Sequence, residues 1–196
     1  MRKLIVCNIM SLDSFYEGPG KNVMGLPFDE AFDVYNAERL RAADTLLLGR
    51  TSYEGFKSYW PPVADDPDAG PVVREISRRN NEIDKVVISD TLTSEQTAPW
   101  FETTRIVTRA AAHEQITELK GQAGQEILVF GTHRLWKDLL AAGLVDELHL
   151  MIGPAVLGAG TPAFESGSLV PLRLLEARTL EASELVRTRY DARPVT

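Results

Sequence analysis

The chain contains one cysteine, Cys7, and three scattered histidines, His113, His133 and His149, in 196 residues. A single thiol builds no disulfide framework, which points to a reducing compartment and a cytoplasmic protein. Cys7 lies inside an apolar segment and reads as a small buried hydrophobe rather than a reactive thiol. None of the histidines has a cysteine or carboxylate at metal-ligand spacing, so no metal is expected. Basic charge is also scarce: 21 Lys and Arg face 28 Asp and Glu, a net charge of -7. That balance argues against nucleic acid or an anionic membrane as the main partner, since both need a basic face. Long hydrophobic runs are missing too. The opening MRKLIVCNIMSLD turns polar by Asp13, too short for a signal peptide or a bilayer span.

Several motifs are absent. There is no G-x-x-x-x-G-K-S/T phosphate loop, and the GAG at Gly158 to Gly160 has neither a third glycine nor a following helix, so it is not a dinucleotide fingerprint. No H-x-E with P-C-x-x-C and no G-x-S-x-G occurs, which weakens deaminase and hydrolase readings.

What is present is an alternation of strands and helices over a length suited to a single domain, 1–196. Lys3 to Met10 reads as a first strand and SLDSFYEGPG as a loop. Phe28, Ala31, Phe32, Tyr35, Arg39 and Ala42 keep helical spacing. Thr45 to Leu48 reads as a buried strand closed by Gly49 and Arg50, after which Thr51 and Glu54 have the spelling of a capping box. Trp60 to Pro71 reads as a long exposed loop, followed by a helix at Pro71 to Asn80. Strands at Lys85 to Ser89 and Arg105 to Thr108 and a helix from Ala110 to Lys120 continue the pattern.

Ile127 to Phe164 is the most informative stretch. A strand, Ile127 to Phe130, stops at Gly131. Thr132 can cap a helix whose stripe is Leu135, Trp136, Leu139 and Leu140, Gly143 ends it in the left-handed conformation, and Glu147 to Ile152 is the next strand. Leu172 to Arg178 and Glu184 to Tyr190 read as an antiparallel hairpin. The fold class is therefore three-layer α/β, with a mainly parallel sheet and an antiparallel C-terminal hairpin.

In a parallel sheet the strand ends converge on one edge. There the sequence puts Gly49 with Arg50 and Thr51, Ser89 with Thr91, Thr108 with Arg109, and Gly131 with Thr132. Hydroxyls, backbone N–H groups, helix N-termini and arginines gathered in this way suit a phosphate-bearing ligand. Tyr53, Phe56, Tyr59 and Trp60 supply aromatics after the Gly-Arg-Thr joint. Tyr53 and Trp60 are candidates to wall a flat substrate, whereas Phe56 reads as core.

SLD after the first strand, LLLGRTSYEGF after the second, KVVISDTL in mid-chain and ILVFG through GLVDELHLMIGPAVLGAGTPAF together resemble the reductase domain of bifunctional riboflavin-biosynthesis deaminase-reductases, a dihydrofolate-reductase-like domain with stand-alone members. The resemblance spans nearly the whole chain. It implies an NADPH-dependent reductase of a small pteridine- or pyrimidine-like heterocycle, related to 5-amino-6-(5-phosphoribosylamino)uracil reductase, and a homodimer. By matching position, Gly49, Arg50 and Thr51 would meet the cofactor phosphates, with Arg50 on the 2′-phosphate. Ser89 would lie by the adenosine end, and Gly131, Thr132, His133, Arg134 and Leu135 would cradle the pyrophosphate, with Thr108 on the same edge. The family usually has Gly or Ser where this chain has Thr132, and Gly where it has Ser14.

Hydride transfer to C=N or C=O usually needs a proton source on the other atom. Three carboxylates are candidates: Asp29, which follows the Gly25-Leu26-Pro27-Phe28 run and ranks first, then Asp13 in the SLD motif, and Asp33 one turn beyond Asp29. Placement in a first helical turn, favourable to the helix dipole, is the alternative role for Asp29. The rival functions are a dihydrofolate reductase proper, a nucleotide-binding protein without turnover, and a structural dimer module using the GLVDELHL strand or the final hairpin.

Overall fold

A computed structural model describes residues 1–26, 28–164 and 170–194. Pro27 of the Gly25–Phe28 run lies outside the described residues. The strands are β1 (Leu4–Met10), β2 (Phe15–Glu17), β3 (Ala43–Gly49), β4 (Asp84–Ile88), β5 (Thr104–Val107), β6 (Glu126–Phe130), β7 (Glu147–Ile152), β8 (Thr161–Pro162), β9 (Arg173–Thr179) and β10 (Val186–Asp191). The helices are α1 (Glu30–Ala42), α2 (Arg50–Val63), α3 (Pro71–Glu82), α4 (Ala112–Gly121) and α5 (His133–Ala141).

Eight strands form one sheet in the order β5-β4-β3-β6-β1-β7-β10-β9. The first six run parallel, β10 runs antiparallel to β7, and β9 closes the C-terminal hairpin against β10. The α/β class with a mainly parallel sheet and a terminal hairpin is therefore the observed fold. Right-handed crossovers that travel in opposite directions must place their helices on opposite faces. Accordingly Tyr35 and Leu40 of α1, Tyr53 of α2 and Ile76 of α3 pack with Ile5, Leu46, Leu48, Val87 and Leu128 on one face. Ile116 of α4 and Trp136 and Leu139 of α5 pack with Leu4, Val6, Leu47, Val86 and Val129 on the other. The strands β1, β3, β4 and β6 alternate between these two cores, which is why their sequences read as unbroken apolar runs. Cys7 is buried, 1% exposed, its Sγ 3.8 Å from the Asn36 side-chain oxygen.

Three sequence expectations are corrected. The Thr51–Glu54 capping box does not form. The helix starts directly at the strand end, so Gly49 is the N-cap and Thr51 falls inside the first turn, while Glu54 pairs with Arg50 at 2.8 Å. The exposed loop from Trp60 shrinks to 64–70, because α2 runs through Pro61 and Pro62 to Val63. Its last turn is held by α3: the Ser77 hydroxyl donates to the Trp60 carbonyl, and the Asn81 amide donates to that of Pro61. Packing thus offsets the lost helical hydrogen bonds that make proline a breaker. Finally, the SLDSFYEGPG loop contains β2, which pairs antiparallel with β8 from the segment after β7.

Candidate functional site

The strand ends of the parallel sheet converge as expected, and the geometry is specific at β3 and β6. These two strands are neighbours, yet the chain leaves them in opposite directions, β3 towards β4 and β6 over β1 towards β7. A crevice opens at such a reversal, outside the carboxyl ends of the strands. α2 and α5 begin there, and neither N-terminus has a side-chain cap. The amino ends of both helices, with the positive ends of their dipoles, face the same crevice. The Gly49 N–H donates to the Thr132 Oγ1 at 3.2 Å and ties the two joints together. Thr132 is therefore the N-cap residue by position, but its hydroxyl serves β3 and not its own helix, a correction to the capping expectation.

Gly131 and Thr132 both have left-handed backbone, φ 60 and φ 59. Glycine adopts that conformation freely, whereas a β-branched residue there is strained. A second constraint acts on Gly131: a Cβ there would sit 3.0 Å from the Tyr16 hydroxyl and 3.7 Å from the Ser52 Oγ. Tyr16, from β2, stands 5.1 Å from the His133 ring between centroids. Burial pushes its phenol up to about 12, the neighbouring Glu17 charge adds to this, and a backbone hydrogen bond from Thr132 opposes it. Neither Tyr16 nor Ser52 carries a motif that singles it out. Their position follows from β2 being stitched to β8, a contact of long sequence separation.

The remaining phosphate-side residues divide by what their side chains already do. Arg50 donates to Glu54 and to the Thr91 hydroxyl. Ser89 is buried, its Oγ accepting from Thr91 N at 3.2 Å and Leu92 N at 3.0 Å, so it shapes the turn after β4. Thr108 is the N-cap of a short 3-10 turn, and Arg109 beside it lies 3.5 Å from Asp90. Thr51 and Arg134 are exposed on the first turns of α2 and α5, and Leu135 packs onto the core under α5. Tyr53 is a core residue, 0% exposed, with its hydroxyl 3.1 Å from the Thr97 carbonyl and 3.0 Å from the Thr104 Oγ1. Trp60 packs with Phe56 and Tyr59 ten residues along α2, about 15 Å down its axis from the crevice. The structure therefore presents neither at the sheet edge: Tyr53 is turned into the core from the first turn of α2, and the helix carries Trp60 away.

The three carboxylates occupy different environments. Asp13 accepts from the Ser11 Oγ at 2.6 Å, Leu157 N at 3.1 Å and Gly158 N at 2.7 Å. The Ser11 hydrogen bond above all, helped by the backbone donors, holds it below the usual carboxylate range. It ties the loop after β1 to the loop after β7. Gly160 in that second loop has φ 143 and lies against the Glu17 carbonyl so closely that any Cβ would collide with it.

Asp29 is the N-cap of α1, its Oδ1 accepting from Phe32 N at 2.9 Å and its Oδ2 from the Ser183 hydroxyl. It lines a cleft of about 570 Å³ with Phe28, Pro154, Ala182, Ser183, Glu184 and Leu185, between the start of α1, the end of β7 and the β9–β10 turn. Asp33, on the stripe of α1 that also carries Asn36, Ala37 and Leu40, is raised by burial first and then by Asp29 and Glu30. No group of three or more His, Cys, Asp or Glu among the described residues is placed to hold a metal. No described helix is long and apolar enough to cross a membrane.

The chain is 29% identical over 182 residues to the uncharacterized protein YyaP of Bacillus subtilis, covering 92% of this chain and 90% of that one. Among solved structures, a putative riboflavin biosynthesis protein from Shewanella sp. PV-4 superposes with a TM-score of 0.68 at 21% identity, covering 96% of this chain and 98% of the other. A dihydrofolate reductase from Enterococcus faecalis, complexed with NADP(H), superposes with a TM-score of 0.59 at 15% identity over 96% and 95% of the two chains. The fold is thus dihydrofolate-reductase-like. A family model described as the RibD C-terminal domain matches residues 2–185, and with that match over nearly its whole length the chain belongs to the RibD C-terminal domain family.

Proposed function

We propose that the protein is an NADPH-dependent reductase of a small heterocycle, with the cofactor phosphates in the crevice between β3 and β6 and the substrate in the cleft at Asp29. The observation that carries this reading is the Gly49–Thr132 hydrogen bond, which fixes two uncapped helix N-termini side by side where the strand order reverses. Family membership and the likeness to a reductase that holds NADP(H) support it.

The residues present fit such a group. The first-turn amides of α2, the Ser52 hydroxyl and the Arg50 and Arg134 side chains are all phosphate donors. One element must yield: the Tyr16 hydroxyl already lies against Gly131. When bound, NADPH supplies the hydride. The cleft at the end of β7 is two strand spacings from β6, about 10 Å, so cofactor and substrate can meet over the end of β1. Asp29 then orients the ring and is the first candidate for the proton source, with Asp33, raised by burial, one helical turn away, and Phe28 and Pro154 exclude water.

Thermal unfolding with NADPH, with NADH and without ligand tests the reading. Cofactor at about a hundred times its dissociation constant adds roughly 2.7 kcal/mol of stability. Loss of absorbance at 340 nm over a panel of pteridines and pyrimidines then reports turnover. A melting temperature unmoved by either nucleotide removes the proposal.

A further inference from the structure

The carboxyl edge of the sheet is electrically polarised. On the β5–β3–β6 side Arg109, Arg50 and Arg134 reach it, the first two paired with Asp90 and Glu54, next to the amino ends of α2 and α5. On the β7–β10 side they are Asp29 and Glu184, with Glu30 and Asp33 on the same helix as Asp29's cap, and the cleft between them has no lysine or arginine among the described residues lining it. The ring-bearing substrates of a phosphoribosylaminouracil reductase carry a dianionic phosphate, which needs a cationic or N–H-rich seat. This cleft offers the opposite: two carboxylates, one hydroxyl and an apolar wall of Phe28, Pro154, Ala182 and Leu185.

Accordingly, we infer that the cleft takes an unphosphorylated planar heterocycle bearing ring or exocyclic N–H donors, neutral or cationic, and rejects the sugar-phosphate form of such a ring. The inference rests on the assignment of this cleft to the substrate. Asp29 keeps one oxygen on the Phe32 N–H, and the other accepts from Ser183. An incoming amino-heterocycle replaces the Ser183 hydroxyl with paired N–H donors on the same carboxylate, a charge-assisted arrangement stronger than the neutral one it displaces. Ser183 is itself held in place: its Oγ accepts from Leu185 N at 2.9 Å. It thus keeps Asp29 turned towards the cleft before the ligand arrives. Glu184 is exposed on the turn and adds repulsion against an anion at the mouth.

Titration calorimetry of the intact protein with pterin and with uridine 5′-monophosphate, each with and without NADPH, tests the assignment. The expected result is that pterin binds and the nucleotide binds at least about tenfold more weakly, like charge across a contact being unfavourable. Glu184→Lys, on an exposed turn, narrows that gap. Asp29→Asn weakens pterin, and Ser183→Ala changes pterin affinity without changing that for NADPH. Pterin binding that persists when NADPH does not bind supports the cleft assignment and removes only the reductase reading. Uridine monophosphate bound as tightly as pterin, neither compound bound, or a gap unchanged in Glu184→Lys overturns the inference.

Discussion

The phenol of Tyr35 lies 2.8 Å from Nδ1 of His149, and the far nitrogen of that ring lies 3.0 Å from Glu147, so an unbroken polar chain runs through the core from α1 to β7. Arg187 stands over the Tyr35 ring at 4.7 Å and Arg189 donates to Glu147 at 2.9 Å. Burial, against the pull of Glu147 and with the help of the nearby arginines, pushes His149 down to about 4. The folded state therefore keeps His149 neutral where the unfolded chain protonates it, near the ordinary 6.5. Stability from this group is full above that value and is lost as pH falls from about 6.5 to about 4. Urea unfolding at pH 7.5 and pH 5 should show the drop, and His149→Gln should flatten it. An equal slope in the variant would remove His149 from the acid limb.

Lys85 has the same kind of defect at higher pH. It is 1% exposed, its Nζ donating to the Ile83 carbonyl at 2.6 Å and lying 4.4 Å from the Trp100 ring centre. Burial lowers it to about 7. As pH falls from 10.5 towards 7 the unfolded chain takes up a proton that the folded state resists, so the penalty is complete only below 7. Lys85→Met should raise the melting temperature at pH 6 and lose that advantage above pH 10. A variant that is less stable at pH 6 would show that the ammonium's hydrogen bonds outweigh its desolvation.

Thr132 pays for its tie to Gly49 with strained backbone. Thr132→Val keeps the strain and loses the hydrogen bond, which should cost about 1 kcal/mol. Thr132→Gly loses the bond but relieves a left-handed residue, worth roughly 1–2 kcal/mol, and should stay near wild type. Chemical denaturation distinguishes the two. If Val is as stable as Thr, the bond adds nothing.

Arg50→Ala should leave the fold intact, since Arg50 bonds only exposed partners, Glu54 and Thr91. It should narrow the preference for NADPH over NADH. An unchanged ratio of the two dissociation constants would take Arg50 off the 2′-phosphate.

Asp13→Asn and Asp29→Asn should differ in kind. The first removes charge from a carboxylate serving three donors and should lower stability with nucleotide binding retained. The second should abolish most turnover at a smaller cost in stability. Equal turnover in Asp29→Asn and wild type would move the acid elsewhere.

The alternation of buried strands and helices was readable because β1, β3, β4 and β6 are apolar on both faces and their boundaries carry glycine or a turn. The edge hairpin was readable from its spacing and polar turn. What escaped depends on partners far away in the chain. Tyr16 reaches Gly131 only because β2 is paired to β8, Ser183 meets Asp29 across 154 positions, and Pro61–Pro62 stay helical only because α3 covers that turn. Local spelling cannot report such contacts. Tyr53 misled for a related reason: an aromatic on the first turns of a helix near a site looks the same whether the helix presents it or buries it.

The sheet order has a consequence for how the chain is made. β1 is flanked by β6 and β7, so it waits for two strands made later. At roughly 5–20 residues per second, the centre of the sheet stays open for several seconds to about half a minute of translation. Through that time an apolar strand and the segment carrying Asp13 and Tyr16 are exposed to whatever binds nascent chains. Substitutions in β1 should therefore be felt in yield during synthesis before they are felt in the finished protein.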